Sequence, residues 1–176
     1  PAGIDFIAAF FGCLYAGAIP VPVYPPRKNR SLSRISVISA DCDASAILAT
    51  TEINNSLERN FSDDPYLSAI PWLATEELTP RLSDFKPADP DLNQLAFLQY
   101  TSGSTGNPKG VMVSHRNIMA NLKSLQLYML ICPEDTNVHW VPQFHDLGLI
   151  LGILSTVFSG SHSVLIPPFI FISKPI

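Results

Sequence analysis

A segment rich in glycine, serine and threonine lies between two apolar runs and constrains the fold more than any other part of the sequence. Residues 95–100 precede this segment and residues 111–113 follow it, and both runs are typical of strands. Residues 101–105 supply four hydroxyl groups in five positions, interrupted only by Gly103. Glycine lets the backbone approach a ligand closely and expose its amides. The sequence therefore predicts a loop between two strands that holds an anion.

The composition of this loop favours the oxygens of a polyphosphate as its ligand. A lysine adds a full positive charge at the exit of the loop, and Pro108 stiffens the backbone before it. The predicted phosphate-binding residues are Thr101, Ser102, Gly103, Ser104, Thr105, Gly106 and Lys109. A flexible linker is the alternative, but linkers rarely lie between two strand-like runs or end in Pro-Lys-Gly. A Walker loop is excluded because proline occupies position 108, where that motif needs glycine.

Composition and charge narrow the class of protein. The chain has 176 residues, of which 47% are hydrophobic and 15% charged, and this balance is typical of a globular protein. A net charge of −4 argues against a nucleic-acid partner. Four basic residues cluster in one region and indicate a solvated loop and helix start, or a docking patch for an acidic partner: Arg27, Lys28, Arg30 and Arg34. Three cysteines without CxxC spacing indicate neither disulfides nor a zinc site, and they favour a cytoplasmic setting.

Helical patterns alternate with short apolar strands along the chain, which predicts an α/β fold of layered helices and mostly parallel short strands. Two long uncharged stretches, residues 6–26 and 147–173, are broken by prolines and polar residues, and we expect no membrane span. Helices are predicted at residues 4–17, 31–40, 117–130 and 147–158, and strands at 19–24, 44–49, 71–73, 95–100, 111–113, 138–141 and 163–166. The second helix should turn Leu32, Ile35 and Ile38 inward, and the third should have one apolar face made of Ile118, Leu122, Leu125 and Met129. Ser114 is placed to cap the helix that follows it.

A second motif, PQFHDLGLILGIL, occupies residues 142–154. Its His145 and Asp146 could be a metal pair of the kind found in phosphohydrolases, although a lone pair without other spaced ligands is a weak indication of metal. His145 could also be a hydrogen-bonded structural residue, as we expect for His115. The apolar residues Phe144, Leu149, Leu151 and Ile153 could line an acyl tunnel or belong to an ordinary core.

Together the two motifs resemble the adenylate-forming superfamily, which includes acyl-CoA synthetases, luciferases, peptide-synthetase adenylation domains and fatty acyl-AMP ligases. The first motif, LQYTSGSTGNPKGVMVSH at residues 98–115, is long and specific. The His-Asp pair followed by Leu-Gly-Leu is most similar to the fatty acyl-AMP ligase branch. The opening segment FIAAFFGCLYAGAIPVPVYPP, residues 6–26, resembles the same branch.

The resemblance implies a fold, a reaction and a set of site residues. Residues 1–176 are expected to form part of an N-terminal AMP-binding domain, without the C-terminal domain. The implied reaction uses ATP and Mg2+ to convert a fatty acid to acyl-AMP, which is handed to an acyl carrier protein. His145 is implied to be catalytic, near the reacting carboxylate and the adenylate phosphate, and Asp146 and Phe144 are expected beside it.

The resemblance also implies what this chain does not contain. No metal ligand is expected within it, because the Mg2+-binding glutamate, the ribose-binding aspartate and the C-terminal lysine of the superfamily are expected after Ile176. Residues 1–176 alone are therefore expected to be inactive. Two other functions stay open: an acyl-CoA synthetase that forms an acyl-CoA thioester, and a truncated non-catalytic nucleotide-binding module.

Overall fold

The computed structural model describes residues 2–25, 32–61, 64–78, 85–101 and 108–173. The helices are α1 (Ile4–Tyr15), α2 (Ser33–Asp41), α3 (Thr51–Phe61), α4 (Pro65–Ala69), α5 (His115–Met129), α6 (Asp146–Leu149), α7 (Ser155–Ser159) and α8 (Pro168–Ser173). The strands are β1 (Ile47–Ala49), β2 (Trp72–Ala74), β3 (Leu95–Thr101), β4 (Lys109–Ser114), β5 (Thr136–His139) and β6 (His162–Leu165). A π-helical turn, Ile150–Leu154, joins α6 to α7. None of the helices in these ranges is long and apolar enough to cross a membrane.

The strands form three two-stranded sheets within the described residues. β1 pairs with β2 and β5 pairs with β6, both in parallel, whereas β3 and β4 form an antiparallel hairpin. Each parallel pair is joined by a helical crossover, α3 and α4 in one case and α6 to α7 in the other, as parallel pairing requires. The predicted α/β fold with mostly parallel short strands is confirmed.

Strand β3 lies in the main hydrophobic core. Ala96 and Phe97 are 0% and 1% exposed, and the Phe97 ring meets the Phe10 ring of α1 edge to face at 5.8 Å between centroids. Helix α5 adds Leu122 to this core and the α6–α7 stretch adds Leu149. A second, smaller core lies among α2, α3 and α4. The predicted inward residues of α2 are buried, as expected from their helical spacing: Leu32, Ile35 and Ile38.

The hairpin continues directly into α5. Ser114 caps this helix as predicted: its hydroxyl accepts a hydrogen bond from the Asn117 backbone N–H at 3.2 Å. The Asn117 side chain accepts the Ser114 backbone N–H at 3.0 Å in return, which completes a reciprocal cap. The capped helix therefore fixes the end of β4 that lies farthest from the loop.

Three local predictions are wrong or incomplete. The strand expected at residues 19–24 is absent from this described segment. Pro20 and Pro22 have no backbone N–H group to donate to a neighbouring strand. The Pro20 carbonyl still accepts a hydrogen bond from the Leu98 backbone N–H at 3.2 Å. Met129, expected to face inward, is 54% exposed at the end of α5. Helix α8 was not predicted, because Pro168 was interpreted as a break although proline is also favoured at the first position of a helix.

The predicted helix at residues 147–158 is a continuous helical stretch that contains a π turn. A π turn leaves backbone groups without their usual helical partners. The Gly152 carbonyl accepts hydrogen bonds from the hydroxyls of Thr156 and Ser163, each at 3.2 Å. These two bonds explain how the chain accommodates the turn.

His139, the last residue of β5, gives the fold a predicted pH dependence. Burial lowers the pKa of His139, and its Nε2 has no hydrogen-bond partner among the described residues. The unfolded chain therefore takes up a proton more readily than the folded one, so the free energy of unfolding should fall as the pH drops below about 6.5. The difference in the free energy of unfolding between pH 7.5 and pH 5.5, measured with urea, should be smaller in His139→Gln than in the unaltered protein. The control His162→Gln, at an exposed position, should keep the difference of the unaltered protein. An equal pH effect in both variants would contradict the assignment.

Candidate functional site

The β3–β4 hairpin brings the two ends of the predicted phosphate loop together. Thr101 is paired directly with Lys109, and both side chains are exposed. Directly opposed residues of an antiparallel pair have their side chains on the same face. The side chains of Thr101 and Lys109 therefore lie side by side at the mouth of the loop, where the two strands meet it. The other predicted phosphate ligands lie outside the described residues, and their role stays a prediction: Ser102, Gly103, Ser104, Thr105 and Gly106.

One step further from the loop, Gly110 lies under the ring of Tyr100. The two residues are paired in the hairpin. A Cβ atom at position 110 would lie 2.9 Å from Cζ of Tyr100, which is closer than such contacts allow. A side chain at this last residue of the Pro-Lys-Gly sequence would therefore displace the Tyr100 ring at the base of the loop.

The second motif forms a tight turn that leads into α6. The His145 backbone N–H donates to the Pro142 carbonyl at 3.0 Å, and His145 occupies the N-cap position of α6. Its imidazole is 47% exposed and the Asp146 carboxylate 57% exposed, so both groups can meet a ligand. An aspartate in the first turn of a helix is favoured by the helix dipole.

The imidazole and the carboxylate contact each other. Nδ1 of His145 lies 2.5 Å from Oδ1 of Asp146. A contact this short between a nitrogen and a carboxylate needs a proton on Nδ1, whereas the 3.4 Å contact from the Leu147 N–H to Nδ1 would need a lone pair there. We assign the proton to Nδ1, because the Leu147 N–H has a better acceptor in Asp146 at 2.6 Å. In the neutral imidazole this assignment leaves the lone pair on Nε2.

Phe144 lies on the other side of the turn and is 8% exposed. Its ring packs edge to face against Tyr24 at 4.5 Å and against Phe6 at 6.4 Å between centroids. It borders a largely apolar cavity of about 720 Å³ that α1, α2 and β1 also line. Leu149 and Ile153 are 0% and 3% exposed, so these two residues belong to the core.

Two glutamines hold the turn in place. The side-chain amide of Gln99, in β3, donates to the Phe144 carbonyl at 3.4 Å. The side-chain oxygen of Gln143 accepts the backbone N–H of Gly3, next to α1, at 2.6 Å, and Gln143 is 4% exposed. Gln99 is two residues before Thr101. The structure therefore connects both sequence motifs to the same strand.

The first turn of α6 is packed tightly against the turn that precedes it. A Cβ atom at position 148 would lie 2.2 Å from the Pro142 carbonyl oxygen and 2.9 Å from the Val141 carbonyl oxygen. Only glycine lets the helix approach this closely. Gly148 is thus a structural requirement of the His145 turn.

The chain matches the model of the AMP-binding enzyme family over residues 1–175. It belongs to the AMP-binding enzyme family. Among related AMP-binding enzymes, a medium-chain-fatty-acid–[acyl-carrier-protein] ligase, JamA of Moorena producens, is 37% identical over 100% of this chain and 31% of its own length. FadD21 of Mycobacterium tuberculosis, whose name proposes fatty-acid–CoA ligase activity, is 37% identical over 99% of this chain and 31% of its own length.

A solved structure of the same family is similar in fold. The crystal structure of a fatty acyl-adenylate ligase from L. pneumophila, in complex with acyl adenylate and pyrophosphate, matches 99% of this chain with a TM-score of 0.90 and 36% identity. The match covers 30% of that chain. This chain thus spans about 31% of the length of the curated relatives it matches.

Several residues at this candidate site were not predicted. Gln99 is a polar residue between Leu98 and Tyr100 in a mostly apolar strand, and that contrast is a readable signal for a partly buried hydrogen bond. Gln143 carried no such signal, because it lies in a turn where polar residues are common. Asp41 contacts Tyr100 across 59 positions of sequence, a separation that no local pattern can anticipate.

The requirement at position 148 gives a direct test of how the His145 turn is held. Gly148→Ala should lower the free energy of unfolding by about 1–3 kcal/mol, because the added methyl group must displace the Pro142 carbonyl. Gly12→Ala is the matched control. Position 12 lies inside α1, where an added methyl group would meet no neighbouring atom within 4 Å, so alanine should stabilise the helix by about 0.5–1 kcal/mol. Urea unfolding curves measure both changes, and equal behaviour of the two variants would contradict the close packing at position 148.

Proposed function

We propose that the full-length protein activates a fatty acid with ATP, releasing pyrophosphate and forming acyl-AMP, and transfers the acyl group to an acyl carrier protein. The observation that carries this proposal is the attachment of both motifs to β3. Thr101 ends that strand at the predicted phosphate loop, and Gln99 joins it to the turn that carries His145. The similarity to JamA and to the L. pneumophila fatty acyl-adenylate ligase supports the same reaction.

In the proposed reaction a carboxylate oxygen of the fatty acid attacks the α-phosphorus of ATP. The new bond joins that oxygen to phosphorus, and the bond between the α-phosphorus and the bridging oxygen breaks as pyrophosphate leaves. Negative charge shifts among phosphate oxygens, so the protein contributes mainly positioning and electrostatic stabilisation. Lys109, Thr101 and the predicted loop residues 102–106 would supply the cation and the hydrogen-bond donors.

His145 is the proposed catalytic residue. With Nδ1–H bonded to Asp146, Nε2 is the ring nitrogen that remains for the reacting groups, and it would donate a hydrogen bond to a carboxylate or phosphate oxygen when the ring carries both protons. Asp146 orients the imidazole. The backbone of Phe144 sets the position of the turn through its bond to Gln99, and its ring closes the apolar side of the proposed substrate-proximal region.

Magnesium is proposed as a companion of the ATP phosphates. Among the described residues no group of three or more histidine, cysteine, aspartate or glutamate side chains could hold a metal ion. Mg2+ commonly binds through substrate phosphates and waters with only one or two carboxylates. Among the described residues we propose no protein ligand for Mg2+.

The place of the chain in the whole protein is also a proposal. We propose that residues 1–176 form part of an N-terminal AMP-binding domain, in a cytoplasmic protein that has a separate C-terminal domain. The coverage of the relatives, about 31% of their length, supports this arrangement. That residues 1–176 are inactive alone stays a prediction.

An acyl-CoA synthetase is the second candidate function, and the name of FadD21 favours it. The two functions share the formation of acyl-AMP and differ in the thiol that accepts the acyl group. Full-length protein given ATP, a fatty acid and either CoA or a carrier protein distinguishes them. Efficient formation of acyl-CoA would show that CoA, and not a carrier protein, accepts the acyl group. A third candidate, a truncated non-catalytic nucleotide-binding module, would bind ATP without forming acyl-AMP.

The role of Lys109 can be tested through the exchange of pyrophosphate into ATP. In the full-length protein, Lys109→Ala should reduce fatty-acid-dependent exchange on the order of 100-fold, because a preorganised positive charge at the phosphates is lost. Lys123→Ala removes a lysine from the exposed side of α5 and serves as the matched control. Exchange that is unchanged in Lys109→Ala would remove this residue from the site.

A further inference from the structure

The base of the hairpin is joined to the end of a distant helix. The hydroxyl of Tyr100 donates a hydrogen bond to the carboxylate of Asp41, the last residue of α2. Tyr100 is 8% exposed, whereas Asp41 is exposed and keeps contact with solvent. The bond therefore connects a buried ring beside the loop to a charge at the surface.

The helix itself does not explain an aspartate at position 41. A negative charge in the last turn of a helix is opposed by the helix dipole. The chain also turns sharply there, since Asp43 adopts a left-handed conformation with φ of 49°. The hydrogen bond from Tyr100 gives the carboxylate a partner that the helix does not provide.

The Tyr100 ring transmits this anchor to both ends of the predicted loop. Its neighbour in sequence is Thr101, and its partner across the hairpin is Gly110, which follows Lys109. The backbone at Gly110 lies so close that a Cβ atom there would be 3.1 Å from the Tyr100 hydroxyl. The Tyr100 ring therefore packs closely on the β4 backbone next to Lys109, while its own backbone leads into Thr101.

The chemistry of the pair suits an anchor. Burial, followed by the hydrogen bond to the Asp41 carboxylate, raises the pKa of Tyr100 above its usual range, so the phenol stays protonated and acts as a donor. A hydrogen bond to a charged acceptor is stronger than one between neutral groups. Neither residue was among the predicted site residues.

We propose that Asp41 and Tyr100 are positioning residues for Thr101 and Lys109, the described residues at the two ends of the predicted phosphate loop: their hydrogen bond fixes the base of the β3–β4 hairpin, where the Tyr100 ring packs on Gly110. This inference rests on the proposed function, in which the loop binds ATP. Asp41 and Tyr100 themselves do not touch the substrate. They act through the backbone that carries the phosphate ligands.

The test uses the full-length protein with Tyr100→Phe, Asp41→Ala and the double variant. Each should raise the KM for ATP and the Kd for Mg-ATP, measured by equilibrium dialysis, by about tenfold or more, as loss of a charge-assisted hydrogen bond implies. The KM for the fatty acid should not change. The double variant should be no worse than either single variant, because both remove the same bond. Asp41→Asn keeps an acceptor oxygen and should have a smaller effect.

Tyr66→Phe is the matched control. The Tyr66 hydroxyl also donates a hydrogen bond to α2, to the Ser39 carbonyl at 3.1 Å. The three atoms nearest to a Cβ at position 110, in contrast, all belong to Tyr100. Its removal should lower the midpoint of thermal unfolding and leave the affinity for ATP unchanged. Tyr100→Phe with unchanged ATP affinity, or an equal loss of affinity in Tyr66→Phe, would overturn the inference.

The two proposals can fail separately. If the unaltered protein binds Mg-ATP but shows no fatty-acid-dependent exchange, the proposed function fails, and the dialysis comparison still decides the role of the pair. If exchange is present and the variants bind ATP normally, only the positioning role fails. No binding of Mg-ATP by the unaltered protein would overturn both.

Discussion

The burial of β3 is the interaction on which the other parts of the site are built. Ala96 and Phe97 are almost completely inaccessible, and Phe97 packs against α1 in a core that α5 and the α6–α7 stretch also share. Apolar burial of this kind is the main source of stability in a small α/β unit. The same strand ends at the mouth of the predicted phosphate loop. Stability and site geometry therefore depend on the same residues.

Three consecutive residues at the end of β3 have three different partners. Gln99 bonds to the turn that carries His145, Tyr100 bonds to the end of α2, and Thr101 pairs with Lys109 across the hairpin. Alternation along a strand sends successive side chains to opposite faces, which makes these divergent contacts possible. One strand end thus positions groups that lie far apart in sequence.

Local sequence patterns were sufficient for much of this arrangement. The apolar runs on either side of the loop predicted β3 and β4, and the serine at position 114 predicted the start of α5, because strands and caps depend on nearby residues. The His145 turn was found through its motif. The glycines at positions 110 and 148 can be read from the sequence, but their close contacts cannot, since these are made with the ring of Tyr100 across the hairpin and with the carbonyls of Pro142 and Val141.

The features that were not predicted depend on long-range contacts or on proline, a residue that is compatible with more than one local structure. The bond between Asp41 and Tyr100 spans 59 positions and leaves no periodic signal. Proline explains two wrong predictions. Pro20 and Pro22 occupy a segment that was predicted to be a strand but has no strand pairing, and Pro168 begins a helix where a break was predicted. Both outcomes follow from the missing N–H group, which prevents strand pairing but is harmless in the first turn of a helix.

In the proposed reaction a fatty carboxylate attacks the α-phosphorus of ATP at a site organised by β3, and an oxygen label in the substrate follows that step directly. Full-length protein is given Mg-ATP, an acyl acceptor and a fatty acid whose carboxylate carries ¹⁸O, and the products are analysed by mass spectrometry. One labelled oxygen should appear in AMP after transfer of the acyl group. Label in inorganic phosphate, or AMP without label, would contradict the proposed reaction.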